Sequence, residues 1–254
     1  IAALSFAGIV LLYAFPPHDR PTLSLVTGLC WLWASAYAAY CCMLAARRIT
    51  RVEERHTWRW IAAGCLCFLA GQVYWTFNDV VFGAAPTFPS LADVGYLTIY
   101  VCFALGVTTL LRAQPTRRPD PELILDTVLV TFMAGALAYE FLLEPLFDAG
   151  GSLLALLASI AWSIGGIAVL WMVLIQMLRR TALPLTTAAL VMPGVVVFAV
   201  GNLVYAVVAL SGTYRTGGPL DLTWDAALLM IAAAAAVAPD LESRVAAMAR
   251  PMTC

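Results

Sequence analysis

Carboxylate side chains lie inside or at the margins of apolar stretches in this 254-residue sequence. Asp79 lies near the end of one apolar stretch, Asp93 lies near the start of the next, and Glu140 lies inside a third. No Lys occurs anywhere, and no Arg occurs between residues 60 and 111. Ionisable groups in hydrocarbon cost a few kcal/mol each, so they normally face the interior of a helix bundle. Carboxylates without basic partners suit a cation, protons or a basic ligand, and protonation of Glu140 is the competing outcome.

The composition of the chain places these carboxylates in a membrane. The sequence is 63% hydrophobic and 11% charged, with a mean hydropathy of +0.89, whereas soluble domains carry about 25% charged residues. Its apolar stretches are as long as transmembrane helices and longer than the strands of an outer-membrane barrel. We therefore predict an all-α, polytopic transmembrane bundle that has the lipid bilayer as its surroundings and no nucleic-acid partner.

Eight hydrophobic segments are predicted to be helices. They cover residues 1–14, 22–46, 58–82, 91–111, 122–147, 152–178, 183–210 and 220–238. The breaks between them carry Pro, Gly or charged residues, as is usual where helices end. We expect a transmembrane domain over residues 1–240 and the start of a cytoplasmic linker over residues 241–254, so that the chain is a piece of a longer protein.

The arginines predict the orientation of the bundle. Twelve of the 14 basic residues fall in alternate loops or after the eighth segment, and the other loops hold only Arg20 and Arg215. Basic residues accumulate in cytoplasmic loops. Both termini are therefore predicted to be cytoplasmic, and the loop around residues 83–90 is predicted to face outward.

Helical periodicity places polar residues of the third, fifth and seventh segments on shared faces. We predict an outward-opening pocket between the third, fourth, fifth, seventh and eighth segments, which binds a small ligand or a cation. Glu140 is expected to be buried and to contact a polar group of another helix. Asp79 is expected to accept a hydrogen bond from one of its neighbours Tyr96, Asn202 and Tyr205, or to bind a cation. The predicted ligand-binding residues are Trp75, Asp79, Asp93, Tyr96, Glu140, Asn202 and Tyr205.

Structural roles compete with this interpretation. Ser90 and Asp93 have the spacing of a capping box at the start of the fourth segment, and Asp221 is placed to cap the eighth. Asp126 follows an Arg-rich loop and is expected to pair with Arg117 or Arg118. The aromatic residues expected at the membrane interface are Trp58, Trp60 and Trp224.

The sequence contains no pattern for a cofactor, a metal or a catalytic site. His18 and His56 fall in loops on opposite sides, which excludes a bis-His haem, and the absence of Lys excludes a retinal Schiff base. The cysteines show no CxxC spacing and are expected to be small core residues. We also find no nucleotide-binding or G-x-S-x-G motif.

A weak internal repeat relates two helix pairs. The third and fourth segments align with the seventh and eighth, so that Gly71-Gln72 matches Gly201-Asn202 and Asp93 matches Asp225. An offset of four helices gives two halves of the same orientation, which predicts a parallel repeat.

The region from Trp58 to Arg244 resembles the multi-helix membrane input domain found ahead of GGDEF and EAL domains in bacterial cyclic-di-GMP signalling proteins. The motifs that carry the resemblance are "WRW" at 58–60, the stretch Gly71 to Asp79, "PSLADVGYL" at 89–97, the Arg-rich loop at 112–118, Leu125 to Val130, and "APDLESR" at 238–244. One departure is Gly166, which stands where members of the family often have an Asp.

The resemblance implies a non-enzymatic sensory domain in the bacterial cytoplasmic membrane. Its eighth helix would transmit an extracytoplasmic or membrane signal to a cytoplasmic output, with cyclic-di-GMP turnover as the expected activity and a homodimer formed through the output domains. Two alternatives remain open, a transporter of small solutes or ions and an accessory subunit of a membrane complex.

Overall fold

The computed structural model describes residues 1–84, 86–112, 152–178, 185–210 and 213–248, together with scattered positions between 125 and 144. The described residues form helices and loops, and no strand occurs among them. Seven helices have defined bounds: α1 (Ala2–Ala14), α2 (Arg20–Arg48), α3 (Val52–Phe82), α4 (Leu91–Arg112), α5 (Leu153–Leu178), α6 (Leu185–Leu210) and α7 (Asp221–Met248).

Four of these helices contain stretches long and apolar enough to cross a membrane. The stretches are Arg20–Arg48, Val52–Phe82, Leu91–Thr109 and Asp221–Pro239, and α1, α5 and α6 contribute shorter apolar stretches. The helical fold is therefore confirmed for the described residues, and the four apolar stretches support the prediction of a membrane protein. The eighth helix, the orientation of the termini and the repeat stay predictions, and most of the fifth segment, including Asp126, lies outside the described residues.

The helices extend beyond the apolar segments at two places. α3 begins at Val52, six residues before the predicted start, because the polar stretch of residues 52–57 is also helical. Glu54 in its first turn accepts a hydrogen bond from Arg51 at 2.8 Å. α7 continues past Pro239 to Met248. Hydropathy detects only the apolar part of a helix. It therefore misses the more polar residues at the start of α3 and at the end of α7.

Six helices form a closed ring. α2 to α7 contact one another in chain order, α7 returns to α2, and α1 packs against α7. α3 and α4 approach most closely at Gly95, where an added Cβ would lie 2.5 Å from the Cys67 carbonyl oxygen. Small residues allow such close backbone contacts between membrane helices.

The ends of two helices follow their local sequence. Asp19 precedes α2, and its side chain accepts a hydrogen bond from the Thr22 backbone N–H at 2.9 Å. Hydrogen bonds from Thr22 lower the pKa of Asp19. α3 ends at Gly83, whose φ of 67° is the left-handed conformation in which Gly commonly ends a helix. The loop of residues 83–90 then returns the chain to α4.

Candidate functional site

A cavity of about 30 Å³ lies within the ring of helices, close to one end. Three polar residues, Gln72, Asp93 and Asn202, line it together with a group of aromatic residues. We call this space the aromatic cavity. Its aromatic residues are Trp31, Phe68, Trp75, Tyr96, Trp162, Tyr205, Tyr214 and Trp224.

Asp93 joins the start of α4 to α5. Its Oδ2 accepts hydrogen bonds from the Ser90 backbone N–H at 2.6 Å and from the Ser90 hydroxyl at 3.0 Å, which confirms the predicted capping role. Its Oδ1 accepts a hydrogen bond from the Trp162 indole N–H at 3.3 Å. The same carboxylate therefore caps a helix and makes a tertiary contact beside the cavity.

Asn202 joins three helices. Its Nδ2 lies 2.6 Å from the Tyr100 hydroxyl of α4 and donates to it, and its Oδ1 accepts from the Trp224 indole N–H of α7 at 2.8 Å. Both bonds are buried, and Asn202 is 4% exposed. A buried amide with both ends bonded fixes the relative positions of α4, α6 and α7.

Asp221 begins α7 and orders the loop that precedes it. Its Oδ1 accepts from the Tyr214 hydroxyl at 2.8 Å, and its Oδ2 accepts from the Gly217 backbone N–H at 2.7 Å. Burial and the neighbouring charge of Asp221 raise the pKa of Tyr214 well above its usual value, so the hydroxyl stays protonated and donates. The predicted capping role of Asp221 therefore becomes a loop-ordering role, because its bonds go to preceding residues.

Aromatic rings connect these polar groups around the cavity. Tyr205 lies between Tyr214 and Trp224, with ring centroids 5.0 and 5.5 Å apart respectively. Tyr96 and Trp162 approach at 6.0 Å on the other side. Rings at such separations attract one another beyond their simple burial. The wall of the cavity is therefore built of mutually supporting aromatic side chains.

Three polar atoms of the cavity wall have no partner among the described residues. Gln72 Oε1, Trp31 Nε1 and Trp75 Nε1 are buried and make no hydrogen bond to any described residue. Buried polar groups are nearly always paired, so each such atom marks a place for a water or a ligand. The Gln72 oxygen is an acceptor and the two indole N–H groups are donors, so a water or ligand could bond to either kind of group.

A larger groove of about 770 Å³ lies next to the aromatic cavity, between α3, α4, the start of α5 and the loop that precedes α4. We call it the α4–α5 groove. Asp93 is the one described residue that lines both spaces. The other groove residues are mainly apolar: Leu91, Val94, Leu97, Leu154 and Leu157, among others.

Five of the seven predicted ligand-binding residues line the aromatic cavity. They are Trp75, Asp93, Tyr96, Asn202 and Tyr205. Gln72 and Asn202, which the internal repeat aligns, both belong to the wall. Whether these residues bind a ligand stays a prediction.

Asp79 lies outside the wall of the aromatic cavity. The residue is 7% exposed, so it is buried rather than solvated at a rim. The expected hydrogen bond from Tyr96, Asn202 or Tyr205 is nevertheless not found in the described structure. Asp79 lies about 10 Å along α3 from Gln72, beyond the cavity, and Asn202 bonds to Tyr100 and Trp224 instead.

Glu140 is exposed, so the prediction that it is buried is wrong. The other described positions between residues 125 and 144, Glu144 among them, are exposed as well. The shared face of the fifth segment predicts burial only if another helix covers it. Within the described part of the chain no helix covers Glu140.

Five aromatic residues of the cavity wall are not among the predicted ligand-binding residues: Trp31, Phe68, Trp162, Tyr214 and Trp224. Trp224 was expected at the membrane interface, yet it is 7% exposed and bonds to Asn202. Trp58 is also buried, whereas Trp60 is 38% exposed as expected. Trp162 and Trp31 lie within apolar runs that give no sign of a polar partner.

The buried carboxylate Asp225 lies one helical turn after Asp221 and is 0% exposed. Neither of its oxygens makes a hydrogen bond to a described residue. Tyr13 of α1 interacts with it electrostatically but lacks the geometry of a hydrogen bond. The spacing of Asp221 and Asp225 in an apolar helix was the available sequence sign of this pair.

Comparisons with family models, with curated proteins and with solved structures find no match to this chain.

Proposed function

We propose that this chain is a membrane-embedded sensory or regulatory domain, non-enzymatic in itself, that transmits a signal from the aromatic cavity through α7 to a cytoplasmic output. The observation that supports it best is the path of α7. Asp221 and Trp224 in its first turn belong to the polar and aromatic contacts around the cavity. The helix then runs unbroken to Met248, a length of about 42 Å.

The packing of α7 suits a helix that transmits a displacement. It contacts α1, α2 and α6, so it lies against several parts of the bundle at once. Its buried face is rich in alanine, at positions 227, 232, 234, 235 and 238. Alanine side chains interlock little, so a small shift along the helix axis breaks few contacts. Small sliding motions of packed helices are a known form of signal transmission.

The position of the polar residues favours a sensor over a transporter. Apart from Glu54, the buried charged and amide residues of the described chain lie at the end of the bundle that holds the cavity. A transporter needs a polar path to both faces. The resemblance of residues 58–244 to input domains of cyclic-di-GMP proteins supports turnover of that nucleotide as the output.

Hydrogen exchange in lipid nanodiscs tests the transmission. Asn202→Ala removes two bonds at the cavity, and we expect it to change amide exchange in residues 240–248 at the far end of α7. Thr98→Ala is the control, because the Thr98 hydroxyl bonds to the Val94 carbonyl of its own helix and Thr98 lines neither the aromatic cavity nor the α4–α5 groove. Equal exchange at residues 240–248 in wild type and both variants would contradict a role of α7 as transmitter.

A cellular experiment tests the output. The protein is produced from its own gene with Asn202→Ala or Thr98→Ala, and intracellular cyclic-di-GMP is measured. We expect the first variant to change the nucleotide level and the second to leave it at the wild-type value. A gene deletion that leaves the level unchanged would refute this output, and solute uptake by proteoliposomes would then favour the transporter.

A further inference from the structure

The Asp93 carboxyl group forms no ion pair with a described residue. Its donors are the backbone N–H and hydroxyl of Ser90 and the indole of Trp162, all of them neutral. No basic side chain among the described residues lines the aromatic cavity or the α4–α5 groove. Asp93 is itself only 7% exposed. A buried carboxylate in this setting favours a cationic ligand.

Gln72 adds a second acceptor to the same cavity. Its Oε1 is buried and makes no hydrogen bond to a described residue, and it reaches the cavity from α3 while Asp93 reaches it from α4. A buried acceptor without a donor destabilises the protein, which favours a ligand that donates a hydrogen bond to it. The surrounding Trp, Tyr and Phe rings attract cations through their faces. Two acceptors and aromatic faces together match a positively charged group with several N–H donors.

The volume of the cavity limits which positively charged groups can fit. A water needs roughly 10–15 Å³ of space measured in this way. About 30 Å³ therefore accommodates roughly two non-hydrogen groups, such as the terminal CH₂ and NH₃⁺ of an amine. A quaternary ammonium with four carbon substituents is larger. The indole N–H groups of Trp31 and Trp75 are donors, so they make no bond to the ammonium.

We propose that the aromatic cavity binds the primary ammonium group of an aliphatic amine, with the amine's chain in the apolar α4–α5 groove. Asp93 lines both spaces, so an ammonium held there can project its chain into the groove. This inference rests on the proposed function, because it names the ligand class of the same site.

Tryptophan fluorescence of the purified chain in phosphatidylcholine nanodiscs tests the ligand class. Four of the eight Trp residues line the cavity, so occupation should change the emission. The probes are hexylamine, which is protonated at neutral pH, and hexanol, which has the same chain without the charge. We expect saturable binding of hexylamine and at least tenfold weaker binding of hexanol.

Three variants locate the binding. Asp93→Asn should weaken hexylamine binding at least about tenfold, since a charge-assisted bond is lost. Gln72→Leu leaves the helix cap intact and should weaken hexylamine binding about three- to tenfold. Asp79→Asn is the control, because Asp79 is buried on α3 but does not line the cavity, and binding should stay within about twofold of wild type.

The lipid can also supply a primary ammonium. If phosphatidylethanolamine occupies the site, hexylamine binding will weaken in nanodiscs that contain it; if a soluble amine is the ligand, binding will be unchanged. The proposal is overturned by equal binding of hexylamine and hexanol, by binding that survives both Asp93→Asn and Gln72→Leu, or by no saturable binding. If Asn202→Ala still alters exchange at residues 240–248, only the ligand class has failed and the proposed function stands.

Discussion

Asp221 and Asp225 offer a direct test of the bonding at the start of α7. They lie one turn apart on the same helix, and both are 0% exposed. Asp221 accepts two short hydrogen bonds, whereas Asp225 accepts none from the described residues. Replacing each carboxylate by the amide of the same shape should therefore have opposite effects on stability.

The magnitudes follow from the contacts. Asp221→Asn presents at best one acceptor oxygen, so one charged hydrogen bond is lost and the other becomes neutral. Hydrogen bonds to charged groups contribute about 1.5–3 kcal/mol each. The free energy of unfolding should therefore fall by about 2–4 kcal/mol. Asp225→Asn loses no bond to a described residue and replaces a buried carboxyl group, which is costly in hydrocarbon, by a neutral amide of the same shape. The amide makes no bond to a described residue, so we expect the free energy of unfolding to stay unchanged or to rise by up to about 2 kcal/mol.

The difference in stability between the two variants can be measured by heating each protein in detergent with a fluorogenic maleimide. The buried thiols of α2 and α3, such as Cys42 and Cys65, react only when the fold opens. At about 2–4 °C per kcal/mol, Asp221→Asn should lower the midpoint by about 4–16 °C, and Asp225→Asn should leave it unchanged or raise it. Tyr13→Phe is the control and should shift the midpoint little. If Asp225→Asn lowers the midpoint as much as Asp221→Asn, Asp225 has a partner and this reasoning is refuted.

Three further predictions concern the site, the helix packing and the orientation. Asn202→Ala removes two buried bonds and should destabilise the protein by about 2–4 kcal/mol in the same assay, whereas Tyr13→Phe should cost under about 1 kcal/mol. Gly95→Ala should destabilise by at least about 1–3 kcal/mol, because its Cβ would meet the α3 backbone, and a neutral result would contradict the α3–α4 contact. Thr87→Cys should react with an impermeant maleimide on intact cells and Thr50→Cys only after permeabilisation; the reverse pattern would invert the topology.

The sequence contained enough to predict which residues gather at the cavity. Polar groups in apolar helices must face other helices, and helical periodicity assigns them to faces. This reasoning places Trp75, Tyr96 and Asn202 together without any coordinates. Asp93 follows from local chemistry as well, since the Ser90–Asp93 spacing predicts the cap that the structure contains.

The partners of these residues could not be predicted in the same way. A Trp near a helix end suits the membrane interface and the interior equally well, since its ring is apolar and its N–H is polar. Only the position of Asn202 on a neighbouring helix places Trp224 inside. Glu140 was predicted to be buried and is exposed. A polar face is buried only if another helix covers it, and the sequence pattern of one helix does not show whether another helix packs against it.

The bonds at the start of α7 suggest how a ligand would act on it under the proposed function. Asp221 and Trp224 hold this end of the helix by side-chain hydrogen bonds, while Asp225 adds none from the described residues. Beyond that turn the buried face is mainly alanine and aliphatic. The polar restraint on α7 is therefore concentrated in one turn that borders the cavity. A ligand that draws Asn202 away from Trp224 needs to overcome one hydrogen bond of about 0.5–1.5 kcal/mol. Shifting the equilibrium between two helix positions tenfold takes about 1.4 kcal/mol, which is comparable with this one bond, provided that the two bonds of Asp221 are kept in both positions.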